Sequence, residues 1–250
     1  MQAFGTVALV VALLALGMWP PITAAVIPWA VGLAAIGGFS LFLLYRGLVL
    51  GPIAVVSPVV SSYSALTVLL VVIILGERLS AEQTIAIAVV FAGVLLSTAD
   101  LRAIGETIRR PLPGVPISLA ATVGFAFWGA LFAAATREHD GLALILIGRF
   151  SGTLMVAGVI AALRHARPRV VERPSWALLV AVGVFDTLAN VAFMLGVQTG
   201  NAAIAVTGSG LYPLLPAIMG IARHGERLAP NQYVGIAVVV LGLVALGLRA

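Results

Sequence analysis

Long apolar runs broken by short polar corners organise this chain. Nine stretches qualify as spans: 1–18, 23–45, 52–75, 82–98, 116–136, 141–163, 175–198, 201–222 and 231–248. A helix needs about 20 apolar residues to cross roughly 30 Å of hydrocarbon. The separators carry the turn and charge signals: Trp19-Pro20-Pro21, Arg46-Gly47, Gly76-Glu77-Arg78, the 99–115 segment, Arg137-Glu138-His139-Asp140-Gly141, the 164–174 segment, Thr199-Gly200-Asn201 and Gly225-Glu226-Arg227. Period 3.6 is weak within the runs, as expected of helices wetted by lipid and by one another. Stretches such as Ile85–Val94 lack the period-two alternation of a membrane barrel. Lipid offers no partner to open backbone groups, so helices are the fold class. The opening Met1-Gln2-Ala3-Phe4-Gly5 has no basic residue, and no cleavage-like site follows; it reads as a span and not as a leader.

Composition agrees with this pattern and removes whole classes of function. Of 250 residues, 62% are hydrophobic and 9% charged, against about 25% charged in soluble domains. Nine per cent cannot supply a polar surface for a soluble core of this size, and disorder needs the opposite balance. Cysteine is absent, which excludes disulfides, thiolate metal sites and a cysteine nucleophile. The net charge of +5 would suggest nucleic acid in a soluble protein. Here the basic groups belong to loops at a membrane face and act as topology signals. No nucleic-acid partner is expected. All 14 basic residues are arginine.

Shifted by 149 residues, the sequence matches itself without gaps. Gly76-Glu77-Arg78-Leu79 falls on Gly225-Glu226-Arg227-Leu228, Gln83 on Gln232, Ile87-Ala88-Val89-Val90 on Ile236-Ala237-Val238-Val239, and Gly93 on Gly242. Upstream, Gly47, Gly51, Ala54 and Tyr63 fall on Gly196, Gly200, Ala203 and Tyr212. The first charged corner follows the third span and the second follows the eighth. Five spans separate them, an odd number, so the two corners lie on opposite membrane faces and the repeats are inverted. Such repeats are a hallmark of secondary transporters, whose substrate site lies near the midplane between the halves. The expected organisation is a first repeat at 1–99 (four helices), a linker at 100–115 and a second repeat at 116–250 (five helices). In this register the fifth span would map before residue 1, so either a first helix is missing from the N-terminal half, through a late start or a truncation, or the chain is a genuine nine-helix variant.

The segment Tyr45-Arg46-Gly47-Leu48, Gly51 to Pro58, Gly76-Glu77-Arg78-Leu79 and Gly93-Val94-Leu95-Leu96 resembles an EamA-type domain of the drug/metabolite transporter superfamily. The second copy is clearer: 183–190, Ala202-Ala203-Ile204-Ala205-Val206, Leu211-Tyr212-Pro213, Gly225-Glu226-Arg227-Leu228 and Gly242. The resemblance implies an all-α, inverted-repeat membrane bundle that moves amino acids, sugars, nucleotide precursors, drugs or other metabolites. The family norm is ten helices, one more than this chain shows.

Ten arginines, Arg46, Arg102, Arg109, Arg110, Arg164, Arg167, Arg169, Arg173, Arg223 and Arg227, fall on one face, and Arg78, Arg137 and Arg249 on the other. By that count the first face is cytoplasmic and the C-terminus outside. The resemblance implies both termini inside, so orientation stays open. The stretch Arg164-His165-Ala166-Arg167-Pro168-Arg169 suits either anionic lipid headgroups or a solvated connector.

Polar groups inside a span are costly and face a cavity or a neighbouring helix. Asp186 is the one acid deep in a span, and Asn190 lies one turn on. Arg149 sits about 4.5 Å from the centre of 141–163 at 1.5 Å per residue. A pair between Arg149 and Asp186 would lower the cost of burying either. Asp186 then binds a cationic substrate group, titrates a coupling proton, or is a static structural partner. Ser57, Ser61 and Ser64 form one polar stripe, and Ser209 lies in the equivalent helix. Tyr63 and Tyr212 are repeat equivalents. Pro58, Pro213 and Pro216 free the carbonyls of Ala54, Ser209 and Tyr212. Trp128 is a candidate cavity wall, or else faces lipid. Together Ser57, Ser61, Tyr63, Ser64, Trp128, Arg149, Asp186, Asn190, Ser209 and Tyr212 are the candidate substrate-binding set. Gly148 and Gly152 suit close helix packing, and Glu77 and Glu226 a structural role at helix corners.

Enzyme readings fare poorly. His139, His165 and His224 all map to loops, so an intramembrane nucleophile has no base. A single intramembrane aspartate makes no aspartyl dyad, and a chain without lysine has no phosphate-binding loop lysine. No cofactor and no metal are expected. The expectation is therefore a secondary transporter in the inner membrane, exporting small metabolites by alternating access. Its partners are a small-molecule substrate, lipid and a coupling proton. The alternative is a non-transporting helical membrane protein: an assembly partner or an inactive truncated remnant.

Overall fold

Each apolar run folds as a helix where the structure, a computed structural model, describes it. The described residues are 2–51, 56, 59–98, 114–162, 176–198, 202–209 and 230–247. Among them all regular structure is helical: α1 (Gln2–Leu16), α2 (Val26–Leu50), α3 (Tyr63–Leu75), α4 (Ala81–Thr98), α5 (Gly114–Glu138), α6 (Gly141–Ala162), α7 (Trp176–Gln198), α8 (Ala202–Ser209) and α9 (Pro230–Gly247). Four of these, α2, α5, α6 and α7, are long and apolar enough to cross a membrane.

The helix ends follow from local chemistry. Gly17, at φ +66°, closes α1, and the Met18 N–H donates back to the Leu13 carbonyl at 3.0 Å. Gly76 ends α3 in the same left-handed conformation, φ +64°. Ser80 and Gln83 form a reciprocal capping box at the head of α4: the Gln83 N–H donates to Ser80 Oγ at 3.1 Å, and the Ser80 N–H to Gln83 Oε1 at 3.0 Å. Asp140 Oδ1 accepts the Ala143 N–H at 2.9 Å and starts α6. Pro230 takes the first position of α9, where its missing N–H costs nothing.

Two sequence expectations need correction. The second span does not stop at Arg46-Gly47; α2 runs on to Leu50. Gly47 is wanted there for its size, because a β-carbon would strike Ser118 Oγ of α5. The Gly148 and Gly152 pair is not a close-packing seam either. Gly148 meets only the Ala30 carbonyl at an ordinary 3.7 Å, and Gly152 faces open space.

Close approach happens instead where the repeats meet. A β-carbon on Gly93 of α4 would lie 2.8 Å from Val239 of α9, and one on Gly242 would lie 2.8 Å from Val90. In the 149-residue register Val239 is the counterpart of Val90, and Gly242 of Gly93. The two contacts are thus exchanged copies of each other, as a twofold axis requires. Direction is fixed further along, where Asn231 Nδ2 donates to the Leu96 carbonyl at 3.0 Å. Asn231 is the counterpart of Glu82. In a parallel pair it would sit beside Glu82, about 21 Å of helix away from Leu96. The α4–α9 pair is therefore antiparallel, and the bundle is an inverted repeat.

α5 runs through the middle, packed on α2 and α3 and reaching α6 and α7. Small residues make this possible: a β-carbon on Gly124 would strike Ser40 of α2, and one on Gly129 would come 2.9 Å from Thr67 of α3. One core, with Leu9, Leu13, Leu33, Phe132, Leu146 and Met194, joins α1, α2, α5, α6 and α7. A second, with Val68, Val71, Ile87, Ala130, Ala203 and Val206, joins α3, α4, α5 and α8. Phe39, Phe42, Leu154, Ile160, Phe185 and Leu241 point outward, which suits a surface solvated by acyl chains. Buried hydroxyls bond back to their own helices, as Ser40 does to the Ile36 carbonyl, Thr67 to Tyr63 and Thr207 to Ala203.

Candidate functional site

The charged centre of the bundle is a pair between neighbouring helices. Arg149 Nη1 of α6 lies 2.6 Å from Asp186 Oδ2 of α7. The same Nη1 donates to Gln2 Oε1 of α1 at 2.9 Å. The two side chains are unequally buried: Arg149 is 6% exposed and Asp186 42%. α1 forms the wall over the arginine. A β-carbon on Gly5 would lie 2.6 Å from the Gly183 carbonyl, 2.5 Å from Thr187 Oγ1 and 3.2 Å from Arg149 Nη1. Only glycine allows that approach. Arg149 Nη2 is buried with no hydrogen-bond partner, which leaves a charged donor unsatisfied in a low-dielectric setting.

Asn190 lies one turn beyond Asp186, and its Nδ2 donates to the Asp186 carbonyl at 2.7 Å. One of its two amide N–H donors is thus engaged with backbone on the same stripe of α7. Phe193 continues that stripe at i+7. Its ring stacks on Trp128 and Phe132 of α5, with centroids 6.5 and 5.8 Å apart. The stripe therefore faces the inside of the bundle. Trp128 stacks on Phe132 at 5.4 Å and lies against Gly37 of α2, where a β-carbon would be 3.0 Å from the indole. It is half-buried and inside the bundle, not turned out to lipid. Phe125, one turn earlier on α5, meets the Tyr63 ring at 5.8 Å. One face of α5, Phe125, Trp128 and Phe132, thus connects Tyr63 on α3 to Phe193 on α7.

The serines are placed differently. Ser61 and Ser64 are buried, and the Ser64 hydroxyl donates to the Ser61 carbonyl at 3.1 Å. Ser209 Oγ donates to the Val206 carbonyl at 2.7 Å. Ser61 precedes α3, Ser64 lies in α3 and Ser209 in α8, whereas the charged pair belongs to α6 and α7. Ser57, Tyr212 and the three prolines at 58, 213 and 216 lie outside the described residues. Sequence reasoning missed Gln2, Gly5 and Thr187. Only Gln2 carried a signal, as a polar group heading an otherwise apolar run.

A second charged cluster sits at the α3–α4 corner. The Glu77 carboxylate pairs with Arg137 of α5 and accepts the Ala202 and Ala203 N–H groups at 3.0 and 3.1 Å. It caps the start of α8 from another element, where the helix dipole favours negative charge. This fits the structural role expected of Glu77. The end of α3 therefore meets the start of α8. The other corner, Glu226, lies outside the described residues.

Comparison with known proteins fits this geometry. The family model for the EamA-like transporter family matches residues 1–99 and 112–248. The chain belongs to the EamA-like transporter family. A crystal structure described only as that of a protein shares this EamA fold with a TM-score of 0.74. It is 20% identical and covers 100% of this chain and 86% of its own. At that identity the likeness shows the fold alone. No curated protein matches the chain. As an EamA-like protein the chain is a multi-pass membrane transporter of the drug/metabolite type.

Proposed function

We propose that this EamA-like protein is a secondary active transporter, exporting small metabolites across the inner membrane by alternating access. The two repeats, 1–99 and 116–250, would rock about a midplane cavity bounded by α3, α5, α7 and α8. The observation that carries this reading is the Asp186 carboxylate. It sits at the centre of a span, on the inward stripe of α7, and remains nearly half exposed. A purely structural acid at that depth would be buried against its partners, because a charge open to hydrocarbon is strongly unfavourable. An inward opening that admits water or a ligand accounts for the exposure. The aromatic faces of Trp128 and Phe193 supply an apolar wall of the kind small-molecule sites use. Energy comes from a gradient of the substrate or of a coupling proton.

The test is counterflow in proteoliposomes. Purified protein is screened against metabolites by thermal shift, since a ligand that binds the native state raises its melting temperature. The stabilising compounds are then loaded, and radiolabelled exchange is followed. Saturable exchange that Asp186→Asn abolishes supports the reading. Normal exchange by Asp186→Asn removes Asp186 from the site. No exchange of any stabilising compound would leave a non-transporting membrane protein.

A further inference from the structure

We propose that the site selects organic cations: an ammonium group held by Asp186, on a flat apolar body about 10 Å long lying towards Phe193 and Trp128. The proposal rests on the transport reading and narrows it to a ligand class. The reasoning starts from the unequal burial of the ion pair. Its positive member, Arg149, is walled in by α1 and offers nothing to a ligand: Nη1 is engaged by Asp186 and Gln2, and Nη2 has no accessible surface. Its negative member is the one that is open. Among the described residues the Asp186 carboxylate meets Arg149 alone, through Oδ2, which leaves Oδ1 to accept. Asn190 adds a second acceptor nearby, its Oδ1, while one of its two amide N–H groups is engaged with the Asp186 carbonyl. Of the two charges in the pair, a visitor therefore meets the negative one, which selects an ammonium over a carboxylate.

The body of the ligand is set by what lies further along the stripe. Phe193 is seven residues from Asp186, about 10 Å of helix rise. It stands in a stack of three rings with Trp128 and Phe132. Aromatic faces attract cations and apolar bodies alike and repel anions. Gln2 matters for the cost of entry. When an ammonium shares the carboxylate, Arg149 keeps its hydrogen bond to Gln2 Oε1, so the arriving charge does not strand a buried one.

Three probes of one shape and different charge test this: 4-phenylbutylammonium, 4-phenylbutan-1-ol and 4-phenylbutanoate. Binding to the detergent-purified full chain is measured by calorimetry, and flux by counterflow. The cation is expected to bind roughly tenfold or more tighter than the alcohol, and the anion most weakly. Arg149→Gln, which removes the competing internal cation and leaves an acid exposed enough to be hydrated, should tighten the ammonium. Asp186→Asn should erase the difference between cation and alcohol. Should Asp186→Asn fail to fold, the double variant Arg149→Gln, Asp186→Asn, with no buried charge, must show the same loss. A cation that binds no tighter than the alcohol in the wild type overturns the proposal, as does absence of binding by all three. Asp186→Asn that abolishes flux while leaving cation binding intact makes Asp186 a proton site and also overturns it. Saturable exchange of 4-phenylbutanoate without any exchange of the ammonium overturns the ligand class while the transport reading stands.

Discussion

Among the described residues two arginine–carboxylate pairs hold helices together, and they are built the opposite way round. At the α3–α4 corner the carboxylate is the buried partner: Glu77 is 9% exposed and Arg137 40%. Its oxygens are engaged by two backbone N–H groups and the guanidinium. Inside the spans the arginine is the buried partner and the carboxylate is open. A carboxylate whose acceptors are all engaged is a structural fitting: it satisfies the orphan N–H groups that every helix start exposes. An open carboxylate in the middle of a membrane retains capacity and needs another reason to exist. Each pairs an arginine with a carboxylate; the direction of burial is what differs.

Substitutions can break or sharpen this contrast. The largest effect is expected from Asp186→Asn. It should reduce counterflow by about a hundredfold or more, since the charge is the proposed recognition element. It should also destabilise by about 3–5 kcal/mol, because Arg149 is left as an uncompensated buried charge. Melting temperature and flux on one sample separate the two. In Arg149→Met, Asp186→Asn most of the melting temperature should return and the flux should not. If flux returns with stability, the span pair is as structural as the corner pair.

Next comes Gly5→Val, which pushes α1 away from the Gly183 carbonyl and removes the wall over Arg149. Overpacking of this kind costs about 1–3 kcal/mol. The melting temperature should fall by several degrees, and Arg149 should become accessible to phenylglyoxal. Gly152→Val, facing open space, is the control and should leave both unchanged.

Glu77→Ala removes the cap of α8, an effect of about 0.5–2 kcal/mol, measured as a lower melting temperature with substrate affinity within about twofold of wild type. Smallest is Arg137→Ala, which deletes only the exposed partner of the corner pair. It should change stability by about 1 kcal/mol or less, and half-molar salt should remove most of that difference. A drop in substrate affinity with Glu77→Ala would show that the corner takes part in the transport cycle and would dissolve the contrast.

Much of the architecture was legible because the bilayer is a demanding solvent. Hydrocarbon forces every backbone group into an internal hydrogen bond, so apolar run length alone gave the spans, and α4 to α7 and α9 start and stop within two residues of the expected bounds. The repeat was legible because Gly-Glu-Arg-Leu is too specific to recur in register by accident. Parity then gave the inversion that the Asn231–Leu96 and Gly93–Val239 contacts display. Arg149 and Asp186 could be paired from sequence because two opposite charges in lipid have few affordable alternatives.

Only the fold could decide the rest. Nothing in the string of residues tells that Gly5 and Gly93 mark close helix approaches while Gly152 faces nothing, since that depends on which neighbour passes and at what angle. Nor could the sequence rank Arg149 against Asp186. Both are single charges near the middle of a span, and exposure is a property of the surrounding helices, not of the residue. The sequence determined that this protein spans a membrane in two inverted halves, because hydropathy and parity are summed along the chain. The tertiary structure decided which charge is presented and which is hidden, because burial is set by contacts between residues far apart in sequence, such as Gln2 and Arg149.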